Sequence, residues 1–257
     1  MGLADLHIHS IYSKDGTGTI PAILKYVADN TKLNVVAITD HDSMMGVEEA
    51  KQRAASYGLE VVPGCEVSTA DGHLLTLFIN SPIRQGNSLI DTVLMVADQG
   101  GIAVAPHPMV RGTSSLSIKA IEKALAYPGV AECLVGVELF NGGPEITRKK
   151  PQIIEQIKGL PLAKLGNSDA HVLPLIGHGS TWFEGKTAAD LKQAILSGKT
   201  KPQFSSGLST MDMLKIYLPR YFLKQLGWAA WNDSPKEKIR YIRYQKVIHQ
   251  QTVGISA

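Results

Sequence analysis

An α/β barrel is the architecture expected of this chain. Short apolar runs alternate with helix-like segments along most of its 257 residues, and polar residues gather just after the apolar runs. That length suits one barrel or two small domains and is ample for a large buried core.

The runs predict strands over residues 3–8, 35–39, 60–65, 74–79, 102–105, 134–139 and 162–165, with helices near 21–32, 46–57, 88–99, 115–126, 145–158 and 187–197. Thr19 before Pro21 marks a helix start, and Thr187 with Asp190 has the spacing of a capping box. Gly58, Gly100 and Gly101 stand where helices should stop. The alternation predicts a largely parallel sheet covered by helices. Seven strands suit a barrel somewhat smaller than the eight-stranded form. The expected division is a barrel over 1–207 and a helical extension over 208–257, which is basic, aromatic and without a strand pattern.

Composition narrows the class. A hydrophobic share of 44% and a charged share of 19% fit a soluble globular protein. The two cysteines, Cys65 and Cys133, each lie in an apolar run and read as small buried hydrophobes in a reducing compartment, not a disulfide framework. No apolar run is long enough to span a bilayer, and no leader-like start precedes residue 3, so a cytoplasmic location is expected. Residues 211–257 hold 8 Lys/Arg against 3 Asp/Glu, and residues 1–210 hold 18 against 20. The tail is therefore basic and the rest nearly neutral, a balance that does not by itself argue for nucleic acid.

The polar residues sit where parallel barrels place active sites, just beyond the strand ends. The first strand runs into Asp5-Leu6-His7-Ile8-His9-Ser10, and two histidines two apart face one side of an extended strand. Alone, such a pair also fits two solvated histidines. It is joined by Asp40-His41-Asp42, Glu66, His73, His107-Pro108, Glu138 with Asn141, Asn167-Ser168-Asp169-Ala170-His171, and Asp15 in the loop after the first strand. Six of the eight histidines lie at strand boundaries beside carboxylates. Imidazole and carboxylate ligands suit Zn²⁺, Mn²⁺ or Fe²⁺, and the lack of thiolates argues against a structural zinc site. Paired ions about 3.5–4 Å apart activate water and clamp the oxygens of a phosphoryl centre. No nucleophile elbow, phosphate-cradling GxxxxGK[ST] loop or supported Cys/His pair competes with this reading.

The ordered set Asp5-Leu6-His7-Ile8-His9-Ser10, Thr39-Asp40-His41-Asp42, Gly64-Cys65-Glu66, His107-Pro108 and Ser168-Asp169-Ala170-His171 resembles the PHP (polymerase and histidinol phosphatase) family over roughly residues 3–205. The resemblance implies a distorted seven-stranded TIM-like barrel with a trinuclear metal site and a phosphoesterase activity. The family includes histidinol phosphate phosphatases, nucleotide phosphatases, exonucleases on short RNA and polymerase proofreading domains. By motif position the ligands of two to three divalent ions would be His7, His9, Asp15, His41, Glu66, His73, His107, Asp169 and His171, with Glu66 bridging. Asp15 stands where some members have histidine, at the third metal position. His73 has a looser flanking pattern and also fits a plain strand-edge histidine.

Gly177-His178-Gly179-Ser180-Thr181 resembles the family's closing loop. There His178 reads either as a group that touches substrate phosphate or protonates a leaving group, or as a loop histidine in water. Arg111, shortly after His107-Pro108, is a candidate phosphate donor. Asp40 and Asp42 read as acceptors that orient histidines; Asp40, with His178, is a candidate for a catalytic role. Asp5 is expected to bond within the strand-end network. Arg148, Lys149 and Lys150 read as a solvated face. In the tail, Tyr217, Tyr221, Phe222, Trp228, Trp231, Tyr241 and Tyr244 lie among basic residues. They fit packing on the barrel, a homo-oligomer surface, single-stranded nucleic acid or, less well, a membrane surface.

Three functions are weighed. The first is hydrolysis of a phosphomonoester or terminal phosphodiester in a nucleotide, short oligonucleotide or small phosphate ester. No large insertion separates the motifs, which suits an open pocket for such substrates. The second is an amidohydrolase-like reaction on a non-phosphate substrate; such enzymes usually place a carboxylated lysine at a strand end, where this chain has none. The third is a non-catalytic metal-binding interaction module.

Overall fold

A computed structural model describes residues 1–110, 114–142, 151–205, 209–232 and 234–244. The predicted strands form where runs of branched apolar residues can be buried on both faces. Val35–Ile38 (β2) and Ile102–Ala105 (β5) are wholly buried, as strands covered by helices on one side and core on the other should be. With Gly2–Ile8 (β1), Glu60–Ser68 (β3), His73–Leu77 (β4), Leu134–Asn141 (β6) and Ala163–Asn167 (β7) they account for all seven expected strands. The helices between them are Ile20–Asn30 (α1), Val47–Ala54 (α2), Leu89–Asp98 (α3), Ile118–Leu125 (α4), Pro151–Gly159 (α5) and Ala188–Leu196 (α6). The capping box at Thr187 and Asp190 is formed. Thr19 precedes α1 in an extended conformation, but its hydroxyl donates to Ala230 instead of capping the helix. Gly58 and Gly100 adopt the left-handed conformation at φ +70° and +68°, which ends their helices without a Cβ clash.

Two expectations are corrected. The main sheet has nine strands, because Gly179–Phe183 (β8) and Lys201–Phe204 (β9) extend it in the order β7-β6-β5-β4-β3-β2-β1-β8-β9. It is also mixed, not largely parallel. β1–β2, β2–β3, β5–β6 and β6–β7 pair in parallel, whereas β3–β4, β4–β5, β1–β8 and β8–β9 are antiparallel. The reason for β4's reversal is local: β3 and β4 are joined by a short turn that no parallel crossover could fit.

The sheet nearly closes. The end of β1 meets the segment beyond β7 through a parallel bridge of Ile8 with Ala170, where His9 N donates to Ala170 O at 2.9 Å and Ala170 N to His7 O at 3.2 Å. One apolar cluster draws on β1–β5, β7 and β8 and includes Leu191 and Ile195 of α6. The other two lie against α1–α2 and against α3–α5.

The segment after 208 is helix and ribbon, not helix alone. Thr210–Gln225 (α7) is followed by the antiparallel pair Trp228–Trp231 (β10) and Arg240–Arg243 (β11). β10 has no polar–apolar alternation to betray it. It docks on the barrel through main-chain bonds: Thr19 N donates to Ala230 O at 3.0 Å and Ala230 N to Thr17 O at 3.3 Å.

At Gly179 a Cβ would fall 1.9 Å from the carbonyl oxygen of Asn167, a main-chain atom that cannot swing aside. Gly179→Ala should lose about 2–3 kcal/mol through overpacking and lower the melting temperature by roughly 5–10 °C in thermal unfolding. An unchanged melting temperature would show that β7 and β8 are not held so closely.

Candidate metal centre

The strand ends converge. β1 delivers His7 and His9, the turn after β2 delivers His41, β3 delivers Glu66, and the turns after β5 and β7 deliver His107, Asp169 and His171. His73 begins β4, but the β3–β4 register sets it opposite Ser68, at the same end as Glu66. Asp15 comes from the β1–α1 loop. All nine of the predicted ligands meet here, in four overlapping groups whose donor atoms lie within 4.8 Å of one another: His9, Asp15, His41 and His171; His7, His9 and Glu66; His7, His107 and Asp169; His41, Glu66 and His73.

Glu66 is the hub. Its Oε2 lies 3.4 Å from His7 Nε2, 3.4 Å from His9 Nε2 and 3.0 Å from His41 Nδ1, and its Oε1 lies 3.0 Å from both His73 Nδ1 and His107 Nε2. Asp169 Oδ1 closes the inner side at 3.3 Å from His7 and 3.2 Å from His9. Asp15 Oδ2 closes the outer side at 3.3 Å from His171 and 3.5 Å from His41. Asp42, His107 and Asp169 hold positive φ values of 51°, 28° and 52°. Such conformations cost a non-glycine residue on the order of 1–3 kcal/mol each and persist where surroundings enforce them, commonly at functional sites.

A second layer fixes the ligands. His7 Nδ1 bonds Glu138 at 2.9 Å, and Glu138 also receives the His107 backbone at 2.7 Å and the amides of Asn141 and Asn167, each at 2.9 Å. This carboxylate–histidine pair leaves His7 Nε2 facing the cluster, the usual device for orienting a metal-bound imidazole. Ser13 does the same for His9 Nδ1 at 3.0 Å, and Ser115 for His107 Nδ1 at 2.8 Å. Asp40 was expected to orient histidine directly. It instead accepts from Ser10 N and Oγ, both at 2.6 Å, and from Ser13 N at 3.1 Å, so it acts on His9 through Ser13. Asp42 likewise holds Ser68 N and Oγ rather than a ring. Asp5 accepts from the Ser168 and Gly177 backbones, as its expected place in the strand-end network requires.

The electrostatics favour cations. Burial pushes the His7 imidazole down, but the carboxylates of Asp169, Glu66 and Glu138 outweigh it and hold its pKa well above the ordinary value. His41, opposed by burial, is carried to about 10 by Asp15 and Glu66. Burial would raise Glu66 and Asp169, yet the surrounding imidazoles keep both well below the carboxylate range. His9 goes the other way, to about 4, because burial and the neighbouring His171 disfavour its charge. His7 Nε2, His9 Nε2, Asp15 Oδ1, Glu66 Oε2 and His73 Nδ1 are buried without a hydrogen-bond partner. Buried polar atoms are normally satisfied. Five orphans on residues of one cluster, on nitrogen and oxygen donors, fit divalent cations as their missing partners.

Two clefts open on the cluster. The larger, about 610 Å³, reaches His41 between the β1–α1 loop and the C-terminal extension, with Lys14, Ser68, Gln85 and Tyr221 in its walls. The smaller, about 220 Å³ and mostly apolar, reaches Asp169 and His171 beneath Met213, Leu214 and Tyr217. His178 lies elsewhere. It lines a cleft with Leu3, Thr31 and Leu33 whose walls include none of the nine clustered residues. Arg111, Arg148, Lys149 and Lys150 lie outside the described residues. Sequence reasoning noted Glu138 without giving it a role, although a lone acid inside an apolar strand was the available signal. It missed Ser13, Ser115, Lys14 and the approach of Tyr217, which carry no local pattern.

A barrel of this kind, with histidines and carboxylates converging at its strand ends, defines a class of metal-centred α/β proteins, and comparison with known proteins places the chain within it. The PHP domain model matches residues 5–126 and the PHP-associated model residues 152–200. An uncharacterized protein of Methanocaldococcus jannaschii is 38% identical over 149 residues, 54% of this chain and 81% of that protein. The chain belongs to the PHP domain family. A 5′-3′ exoribonuclease of Haemophilus influenzae is 42% identical over 65 residues, 25% of this chain and 23% of that enzyme. Among solved structures, a two-domain Bacteroides vulgatus protein described as containing a predicted PHP-like metal-dependent phosphoesterase shares the fold. Its TM-score is 0.63 at 18% identity, over 90% of this chain and 71% of that one.

A cation entering the cluster must displace the protons that carboxylates hold on His7 and His41. Apparent Mn²⁺ affinity should therefore rise between pH 6 and 8.5, by about tenfold per pH unit for each proton displaced. Calorimetric titration across that range would show it, and a flat profile would refute it. Glu138→Gln should weaken Mn²⁺ binding about 10- to 100-fold with the fold retained; unchanged affinity would remove Glu138 from the centre.

Proposed function

We propose that this protein hydrolyses a phosphomonoester or a terminal phosphodiester, with His7, His9, Asp15, His41, Glu66, His73, His107, Asp169 and His171 as ligands of two to three divalent cations. The observation that carries the reading is the set of five buried, partnerless donor atoms on residues clustered at the strand ends. Cations held there supply water activation and charge neutralisation for phosphoryl transfer.

The protein's own groups have distinct tasks. Glu66 spans the inner and outer ligand groups. Asp169 and Asp15 close the two sides, and Asp169 faces the smaller of the clefts through which a substrate would arrive. Glu138, Ser13 and Ser115 keep the imidazole Nε2 atoms aimed inward. Lys14, exposed at the rim of the larger cleft, suits an anionic substrate. A cleft of that size, open on one side, accommodates a nucleotide, the end of a short oligonucleotide or a small phosphate ester. The local similarity to a 5′-3′ exoribonuclease supports the oligonucleotide end among these. Residues 1–207 form the catalytic unit on this reading, and α7 with Tyr244 walls the clefts.

The amidohydrolase-like alternative has less support. Lys164 is the one lysine within β1–β7, and its ammonium turns to the Leu160 and Leu162 carbonyls before β7, away from the cluster.

His7→Ala and Asp169→Asn should each lower hydrolysis of phosphomonoesters and 5′-phosphorylated short RNAs at least about a hundredfold while leaving the melting curve cooperative. Chelator should abolish the activity and Mn²⁺, Zn²⁺ or Fe²⁺ restore it. Full activity in either variant, or activity on amides alone, would overturn the proposal.

A further inference from the structure

One face of α7 reaches the metal centre twice. Tyr217 and Lys224 are seven residues apart, two helical turns, and so share a face. Tyr217 sets its ring edge-on to His171 with centroids 6.2 Å apart. Lys224 is only 6% exposed, which is rare for lysine. Its ammonium donates to the main-chain carbonyl of Ser13 and, at 3.5 Å, to that of Ile11.

Those carbonyls belong to the β1–α1 loop, and Asp15 stands two residues beyond Ser13. Asp15 is the ligand candidate with the least support from the sheet. His9 adjoins the Ile8–Ala170 bridge, His171 follows it, and His41 is itself bridged to Glu66. The loop is gripped from inside by Asp40, through Ser10 and Ser13, and from outside by Lys224. A buried ammonium is retained only where it is well satisfied, and this loop supplies two of its acceptors.

We infer that Lys224 is a positioning residue for the outer cation position formed by His9, Asp15, His41 and His171, so that the C-terminal extension sets how many cations the centre holds. The inference rests on the metal-centre reading proposed above. Lys224 keeps the Ile11–Ser13 backbone where Asp15 faces His41 and His171. Without it the Ile11–Ser13 stretch before Asp15 loses its outer anchor, leaving Asp15 held only from the Thr17 side, while the inner group of His7, Glu66, His107 and Asp169 keeps its strand-end supports.

The test compares full-length wild type, Lys224→Met, Lys224→Arg and Asp15→Asn, each stripped with chelator. Bound Mn²⁺ is counted by elemental analysis and by calorimetric titration. Lys224→Met should match Asp15→Asn, losing one equivalent or binding it at least tenfold more weakly, with the remaining equivalents unchanged. Lys224→Arg, which keeps a donor, should recover it. If Lys224→Met does not fold, Lys224→Gln takes its place. Wild-type stoichiometry and affinity in the folded Lys224 variant would overturn the inference, as would uniform weakening of every equivalent. A wild-type protein that binds no Mn²⁺, Zn²⁺ or Fe²⁺ would instead overturn the metal-centre reading itself.

Discussion

Glu66 has no solvent exposure, and its carboxylate stands within 3.4 Å of five imidazoles. An ionised carboxylate in such a place is strongly unfavourable unless opposite charge and hydrogen bonds surround it. The architecture around it reads as the answer to that constraint. The end of β1 brings two histidines to it, and the turn after β2, the reversed β4 and the turn after β5 bring one each. No single strand pair could supply five rings to one carboxylate; a sheet curved nearly to closure can.

Closure also explains where strain and hydrogen bonds concentrate. The Ile8–Ala170 bridge sets Asp169 and His171 against His7 and His9, and the side chain of Asn167 ties Leu6 N to Glu138 across the same seam. Asp42, His107 and Asp169 hold left-handed backbone where their strands give way to loops. Glu138 supports His7 and His107 together, so two histidines from distant segments share one buried support. Such shared supports make a cluster rigid, because moving one ring disturbs another.

The C-terminal segment belongs to this centre more than its sequence suggests. α7 brings Tyr217 to His171 and Lys224 to the loop of Asp15, while β10 is bonded to Thr17 and Thr19. It walls both clefts, so their shape is made jointly by barrel and extension. The aromatic residues that fitted several roles in sequence divide accordingly: Tyr217 and Tyr221 stack beside the centre, whereas Phe222 stays largely exposed.

Much of the barrel was legible because its signals are local. Apolar runs of strand length, helix caps and glycines at helix ends depend on neighbours in sequence, and among the described residues the seven runs and six helices fall where those signals put them, the 145–150 part of the fifth helix lying outside them. The ligand cluster was legible because its residues occupy strand ends, and strand ends of a barrel meet wherever the barrel closes. Three matters were not local. The reversal of β4, which turns His73 toward Glu66, follows from pairing with β3. The place of His178, in a cleft with Leu3, Thr31 and Leu33 instead of the cluster, follows from packing between distant segments. The hold of Lys224 on the Asp15 loop joins residues more than two hundred positions apart. Sequence order settles which donors exist and which lie at strand ends; the pairing of strands and the docking of the extension settle which of them face one another, because those contacts arise only when distant segments are packed together.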